Sequence, residues 1–327
     1  MTQARTAAAG YFGKVPSRGD FVRTPGNHQL MMQLDRWAGG AIELLAGNPD
    51  WKRLYDDAQP VDFAFLGSRS RVAVCGHLAP SRDASGRRFP LLSAVRIDVA
   101  DPLGFISRAP LAFSRTWNGL ARHSAEAVLA DDAGDALQGL EDARHELSLD
   151  PGAYAAGFDD FLQTQAIGSL QPLLREAGHG GLELRHALPA LGLLMQPVLT
   201  GRGVVIDKSL ELPLPDDALH RPLAASFWLD LVAGFLSRGE FELAVLLIGG
   251  PLPRLLLGFN GADPELLRAT IDPGAADDHL IRIAGAGWVE EQIAGDYALN
   301  RLASYLDRDA LTLKSARAVF RETFLGA

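Results

Sequence analysis

Eight cationic side chains fall in two short stretches of this 327-residue chain: Lys14, Arg18 and Arg23 within residues 10–24, and Arg69, Arg71, Arg82, Arg87 and Arg88 within residues 68–88. Only Asp20 and Asp83 stand against them there, although the whole protein carries a formal net charge of −9. A local cationic surplus in an acidic protein suits recognition of an acidic protein surface or a phosphorylated segment, since charged donors hold carboxylate and phosphate oxygens strongly. The competing role is internal. Arg18 and Arg87 could each make a bidentate pair with a loop carboxylate and brace the loop rather than meet a partner.

Other chemistry finds little support. Ser17 could be cast as a nucleophile, but no histidine stands in an identifiable relation to it. The eight histidines are scattered, none in a His-Glu-x-x-His pair, and Arg144-His145-Glu146 reads as a helix-surface triplet without metal-ligand spacing. Asp131-Asp132-Ala-Gly-Asp135 lacks the EF-hand pattern, so a solvated acidic helix face is the better reading. No Walker loop, dinucleotide fingerprint or nucleophile elbow is present, and Gly201-Arg-Gly203 and Gly285-Ala-Gly287 are too short to cradle a phosphate. Arg18-Gly19-Asp20 spells an adhesion tripeptide, which is read as coincidence. The single cysteine, Cys75, sits in an apolar run and reads as a buried strand residue, with no disulfide framework or thiolate zinc site. Catalytic residues, metal and cofactor are all expected to be absent. The negative charge excludes a general nucleic-acid binder. The N-terminal ten residues lack a signal-peptide core, and no 18-residue apolar span exists, so the expectation is a cytoplasmic protein without membrane insertion.

The elements that must position the cationic loops follow from local pattern. In Tyr11-Phe-Gly-Lys-Val-Pro-Ser-Arg-Gly-Asp-Phe-Val-Arg23, aromatics flank a tight loop held by Gly13, Pro16 and Gly19, which points its charges outward. Asn27 is placed to cap a helix running to about Ala46, with Leu30, Leu34, Trp37, Ala41, Leu44 and Leu45 on its packed face, and Pro49 can open a second, short helix. Val61–Leu66 and Arg71–Cys75 read as a hairpin, and Leu91–Val99 as a third strand after the loop Pro80–Pro90. Residues 110–177 read as helical, with breaks near Gly134, Pro151 and Gly168. Residues 192–199 stay open between strand and buried helix. A helix over 223–237 precedes a second hairpin, 241–248 with 254–259. Residues 290–306 and 312–325 read as two tail helices. In the last, Leu313, Ala316, Phe320 and Phe324 make an apolar stripe, and Lys314, Arg317 and Arg321 a charged one. The apolar stripe is expected to dock on the tail's own domain.

Two of these stretches resemble the TagF/ImpM family associated with bacterial type VI secretion. The Tyr11–Arg23 string is similar to the family's N-terminal signature, and Asp83, Gly86, Arg87, Phe89, Pro90 and Leu91 match a second, with Arg88 a small departure. Ser226-Phe-Trp228 and the second hairpin are similar more loosely, so the resemblance spans roughly residues 10 to 270.

The fold expectation is α+β: a mainly antiparallel sheet flanked by helices, with a TagF-like domain over residues 10–275 and a C-terminal helical extension over 285–327. The resemblance implies a profilin- or longin-like core. It also implies a non-enzymatic cytoplasmic accessory protein that restrains type VI secretion after translation by binding the system's forkhead-associated scaffold protein. A structural subunit of the secretion baseplate and a hydrolase or phosphatase are the alternatives. Partner binding is expected at Lys14, Ser17, Arg18, Asp20, Arg87 and Arg88.

Overall fold

The chain's strands carry apolar residues at both odd and even positions, the pattern of strands buried on two faces. In Val61–Gly67, Phe63 and Phe65 turn to one side and Ala64 and Leu66 to the other; in Glu242–Ile248, Ala244, Leu246 and Ile248 oppose Leu243, Val245 and Leu247. Helices must therefore cover both surfaces.

The computed structural model describes residues 5–200 and 206–326; the Gly201-Arg-Gly203 tripeptide lies outside them. From the N-terminus, β1 (Arg5–Ala8), β2 (Gly10–Gly13) and β3 (Val22–Arg23) precede helices α1 (His28–Leu45) and α2 (Trp51–Asp56). A meander follows: β4 (Val61–Gly67), β5 (Val72–Ala79) and β6 (Leu91–Asp98). Then come α3 (Pro102–Ile106), α4 (Ala109–Leu129), α5 (Gly134–Asp142), β7 (Arg144–Leu147), α6 (Ala155–Thr164), α7 (Ile167–Glu176), α8 (Leu184–Met195) and α9 (Pro197–Thr200). The remainder holds β8 (Ser209–Pro213), α10 (His220–Ala233), β9 (Glu242–Ile248), β10 (Arg254–Gly258), α11 (Pro264–Ile271), α12 (Pro273–His279), β11 (Leu280–Arg282), α13 (Glu290–Gly295), α14 (Tyr297–Leu306) and α15 (Leu313–Leu325).

Nine strands form one sheet in the order β11-β8-β10-β9-β4-β5-β6-β2-β3. Every pairing is antiparallel except β11 with β8. The α+β expectation, a large mostly antiparallel sheet flanked by helices with a helical C-terminal region, is the observed architecture. Helices α1, α11 and α12 cover one face, with Leu34, Trp37, Leu266 and Leu267 against Phe63, Leu246 and Leu256. The larger core lies on the other face, under α3, α4, α8, α10 and the tail. Its centre is α10, which buries Phe227, Trp228, Leu229, Leu231 and Val232 and is buried on every side, its polar Ser226 and Asp230 included.

The tail belongs to that same core. Leu313, Ala316, Phe320 and Phe324 are buried, and both phenylalanines pack on Phe235 at ring-centroid distances of 6.0 and 6.4 Å. Its apolar stripe thus docks on its own protein, as the helical spacing implied.

Several local readings are corrected. Arg144-His145-Glu146 lies not on a helix surface but in β7, which pairs with β1 in a separate two-stranded ribbon. A partner strand 136 to 142 residues away supplies the backbone bonds that make these four residues a strand (Arg144 opposite Ala8, Arg5 opposite Leu147). Residues 192–199 resolve as helix, the end of α8 followed by α9. The continuous helix read over 290–306 breaks at Asp296, whose carboxylate caps α14 through the Ala298 and Leu299 amides. Asn27 precedes α1 in a left-handed conformation and makes no side-chain cap, and Leu44 is exposed.

Candidate partner-binding surface

The first signature loop is a hairpin of two very short strands, with Phe12 opposite Arg23 and Gly13 opposite Val22. Gly13 has φ +146°, and a β-carbon there would collide with the Pro90 carbonyl and the Leu91 backbone. Only glycine lets the two signatures touch at this point. The second loop turns at Asp83–Gly86, closed by the Gly86 amide to the Asp83 carbonyl at 2.9 Å, with Gly86 at φ +81°. The Ala84 amide donates to the Arg18 carbonyl at 2.8 Å and joins loop to loop.

Asp83 sits at the junction and is 2% exposed. Its carboxylate accepts from Lys14 Nζ at 2.9 Å and Arg87 Nε at 2.7 Å. The Ser85 hydroxyl adds a bond at 2.7 Å, and the Ser85 and Arg87 amides each one at 3.0 Å. Burial pushes this carboxyl up, but the bonds from Ser85, Lys14 and Arg87 outweigh it and hold the group well below the usual carboxylate range. Arg87 also donates to the Gly19 carbonyl at 2.8 Å. One carboxylate thus fastens both loops.

The remaining predicted residues divide between bracing and exposure. Lys14 is 6% exposed and lies over the Phe21 ring, so the reading that all the loop's charges point outward is wrong for it. A buried ammonium needs its counter-charge close by, and Asp83 supplies it. Ser17 Oγ accepts the Ala133 amide at 3.1 Å, and Arg18 pairs with Asp132 at 2.8 Å in an exposed contact. The acidic stretch read as a solvated face thus contributes a loop partner. Asp20 is exposed and, among the described residues, accepts only the Phe21 amide, at 2.8 Å. Arg88 holds Asp56 through two bonds and lies beside the Trp51 ring; the Arg88 hydrogen bond lowers the Asp56 carboxyl. Among the described residues, Arg23, Arg71 and Arg82 are exposed and have no side-chain ion pair.

Phe12, Phe21 and Phe89 complete the surface. Phe12 and Phe21 stack at 5.1 Å, Phe89 meets Phe21 edge-on at 5.0 Å, and Phe21 remains 42% exposed. An exposed ring beside exposed guanidiniums is the residue mix that dominates protein–protein contacts.

Residues 10–142 match the family model of the TagF N-terminal domain, type VI secretion system-associated. This stretch resembles a TagF N-terminal domain. It contains both signature loops and every bracing partner named above, from Asp56 to Ala133. A crystal structure of PA0076 from Pseudomonas aeruginosa PAO1 is 23% identical, with a TM-score of 0.35, over 43% of this chain and 65% of that one. Among curated proteins none matches the chain.

The TagF-like stretch also contributes to a groove that sequence reasoning missed. It is an open concavity of about 970 Å³ between α1 and the sheet, with Trp37, Phe65 and Val72 on its floor and Arg36, Arg96 and Glu242 around it. Burial, with the nearby Glu240 charge, pushes the Glu242 carboxyl up. None of the six predicted site residues lines this groove. Its only sequence signal was Val72, an apolar strand residue left 38% exposed. Among the described residues no cluster of metal-ligating side chains occurs, and no helix is long and apolar enough to cross a membrane.

Proposed function

We propose that this protein is a non-enzymatic cytoplasmic accessory factor of the type VI secretion system, restraining secretion after translation by binding the system's forkhead-associated scaffold protein. Its association with type VI secretion rests on the TagF domain over residues 10–142. The observation that carries the binding role is the Asp83 junction. Two signature loops about seventy residues apart are locked by buried charge into one rigid surface, on which Phe21 stays 42% exposed and Arg23 and Arg82 are exposed without a side-chain ion pair among the described residues. Locking a loop beforehand lowers the entropy cost of association, which is what a binding surface gains from such a brace.

The contact residues accordingly shift from the predicted set. Lys14 and Ser17 hold the loop's shape, Arg18, Arg87 and Arg88 offer what their internal pairs leave free, and Phe21, outside that set, supplies the apolar anchor. Deletion in the native bacterium should increase effector in the medium at unchanged transcript levels, and a pull-down with the wild-type chain should recover the scaffold protein, whereas Phe21→Ala should not. Effector at unchanged or lower levels refutes the repressor role. Stoichiometric copurification with the baseplate would transfer the protein to the structural class.

A further inference from the structure

On the opposite side of the sheet from α1, three arginines converge on one carboxylate. Asp230 of α10 is 4% exposed. Its Oδ1 accepts from Arg108 at 3.3 Å, and its Oδ2 is met by Arg321 at 2.8 Å and Arg317 at 3.6 Å. Arg108 comes from the turn before α4 and lies over the Phe158 ring at 4.0 Å; Arg317 and Arg321 come from α15, one helical turn apart. Direct contacts therefore hold three positive charges against one negative. Asp159, on α6, is the further anion that acts on Arg108, at longer range and without an ion pair.

The hydrogen bonds are as unbalanced as the charges. Each guanidinium has five N–H donors, and one carboxylate offers about four lone-pair sites. The Arg321 Nε is buried and has no acceptor among the described residues; the Ser226 hydroxyl, one turn before Asp230 on α10, is likewise buried and unpartnered. Arg108 places two further bonds on Ser107, at 3.1 Å on its hydroxyl and 3.4 Å on its carbonyl. Burial, with the Arg317 charge beside it, lowers the Arg108 guanidinium from its ordinary value in spite of Asp230. The Arg321 side chain is 36% exposed, so the cluster opens to solvent along one edge.

We propose that this junction of α4, α10 and α15 is an oxyanion site, built for a compact dianion of the phosphate type, which completes the charge and donor balance between tail and core. A tetrahedral dianion presents acceptors in several directions and matches guanidinium forks, which chloride cannot do. The site concerns how the tail is held and is independent of the signature loops.

The test is a melting titration of the full chain with sodium phosphate against sodium chloride at matched ionic strength, on the wild type, Arg317→Gln and Asp230→Asn. Arg317 makes the longest of the three contacts, so its removal should leave the fold intact. Phosphate should raise the wild-type Tm and should raise that of Arg317→Gln much less. Asp230→Asn removes the competing carboxylate, so its apparent phosphate affinity should increase by about tenfold, the worth of one charge-assisted hydrogen bond. If Asp230→Asn folds only with an anion present, refolding yield in phosphate against chloride gives the same comparison. Equal effects of phosphate and chloride across all three proteins would overturn the proposal and leave the arginines as a tail brace. Sulfate acting like phosphate supports a general dianion site.

Discussion

Asp83 and Asp230 are both nearly buried carboxylates shared by more than one cation, yet they are surrounded in opposite ways. Asp83 faces two cations and accepts three further bonds from Ser85 and the Arg87 backbone, so its oxygens are fully used, and Arg87 places a spare donor on the Gly19 carbonyl. Asp230 faces three arginines, one of which keeps a buried donor without an acceptor. The first is a closed lock within the TagF-like stretch; the second is an open clamp between the core and a helix beyond residue 300. A buried charge pair left with one partner is costly, and a buried charge with a surplus of partners is a place for another anion. The count of acceptors, rather than the presence of an ion pair, distinguishes a brace from a site.

The largest way to break this contrast is to remove the clamp with the tail. Truncation after Gly287 deletes Arg317 and Arg321 and strips Leu299, Leu302, Leu313, Phe320 and Phe324 from the core. The milder Phe320→Ala should by itself cost about 3–5 kcal/mol, because the ring is fully buried and leaves a cavity. The truncated chain should therefore fail to give a cooperative melt. A wild-type Tm after truncation would mean that the tail adds nothing to the core and serves a partner instead.

Next in size is the lock. Lys14→Met keeps much of the side-chain volume but leaves the buried Asp83 with Arg87 alone, and Arg87 is largely exposed. Its Tm should drop by several degrees, and the two signature loops should gain hydrogen exchange together, since Asp83 fastens both. Arg87→Gln should cost visibly less. Equal Tm losses from the two changes would show that burial of the cation does not set its worth.

Arg87→Glu with Arg88→Glu sharpens the functional half of the contrast. The Arg88–Asp56 pair is partly exposed, so much of its charge is screened, and exposed pairs contribute typically under about 1 kcal/mol. The double variant should melt modestly earlier but lose scaffold binding in a salt-dependent manner, mainly through the association rate. A folded double variant with wild-type affinity removes these arginines from the partner surface and leaves Phe21, Arg23 and Arg82 to carry it.

How much of this was legible in sequence depended on whether the cause was local. The strands of the meander and of the β9–β10 hairpin follow from short apolar runs bounded by turn residues, and the stripe of α15 from helical spacing. The pair Arg87–Asp83 is itself local, four residues apart in one loop, and bracing was foreseen for it. Lys14 with Asp83, Arg18 with Asp132 and Arg88 with Asp56 join segments tens of residues apart, and nothing in the surrounding pattern marks the acids as partners. Strand β7 was invisible for the same reason: Arg-His-Glu-Leu has no strand signal until β1 lies beside it. The Asp230 cluster combines both cases. The arginine stripe of α15 was plain from spacing, but Asp230 lay hidden in an apolar helix.

The smallest effect expected concerns acid, and it separates the Asp83 lock from the β1–β7 ribbon. The Asp83 carboxyl is lowered in the folded protein, so the stability it contributes is present above the ordinary carboxylate value of about 3.9 and fades only as pH falls below it, toward its folded value. Between neutral pH and pH 5 the lock should lose nothing. His145 behaves the other way. It is buried in β7, its Nε2 has no partner among the described residues, and burial, with the nearby His123 on α4, lowers its ring below the ordinary histidine value. Its neutral form is the native one. The stability linked to it is complete above about pH 6.5 and declines as pH falls below that point, because the unfolded chain then binds the proton more readily. Hydrogen exchange followed from pH 7.5 to 5 should therefore show the Arg5–Ala8 and Arg144–Leu147 amides loosening first, after correction for the intrinsic pH dependence of exchange, while the Lys14 and Asp83 loops hold. His145→Phe should remove that early step, though crowding against Gly119 could lower its Tm at every pH. Signature loops that open before the ribbon, or an early step that survives in His145→Phe, would show that the buried histidine is not the acid-sensitive element.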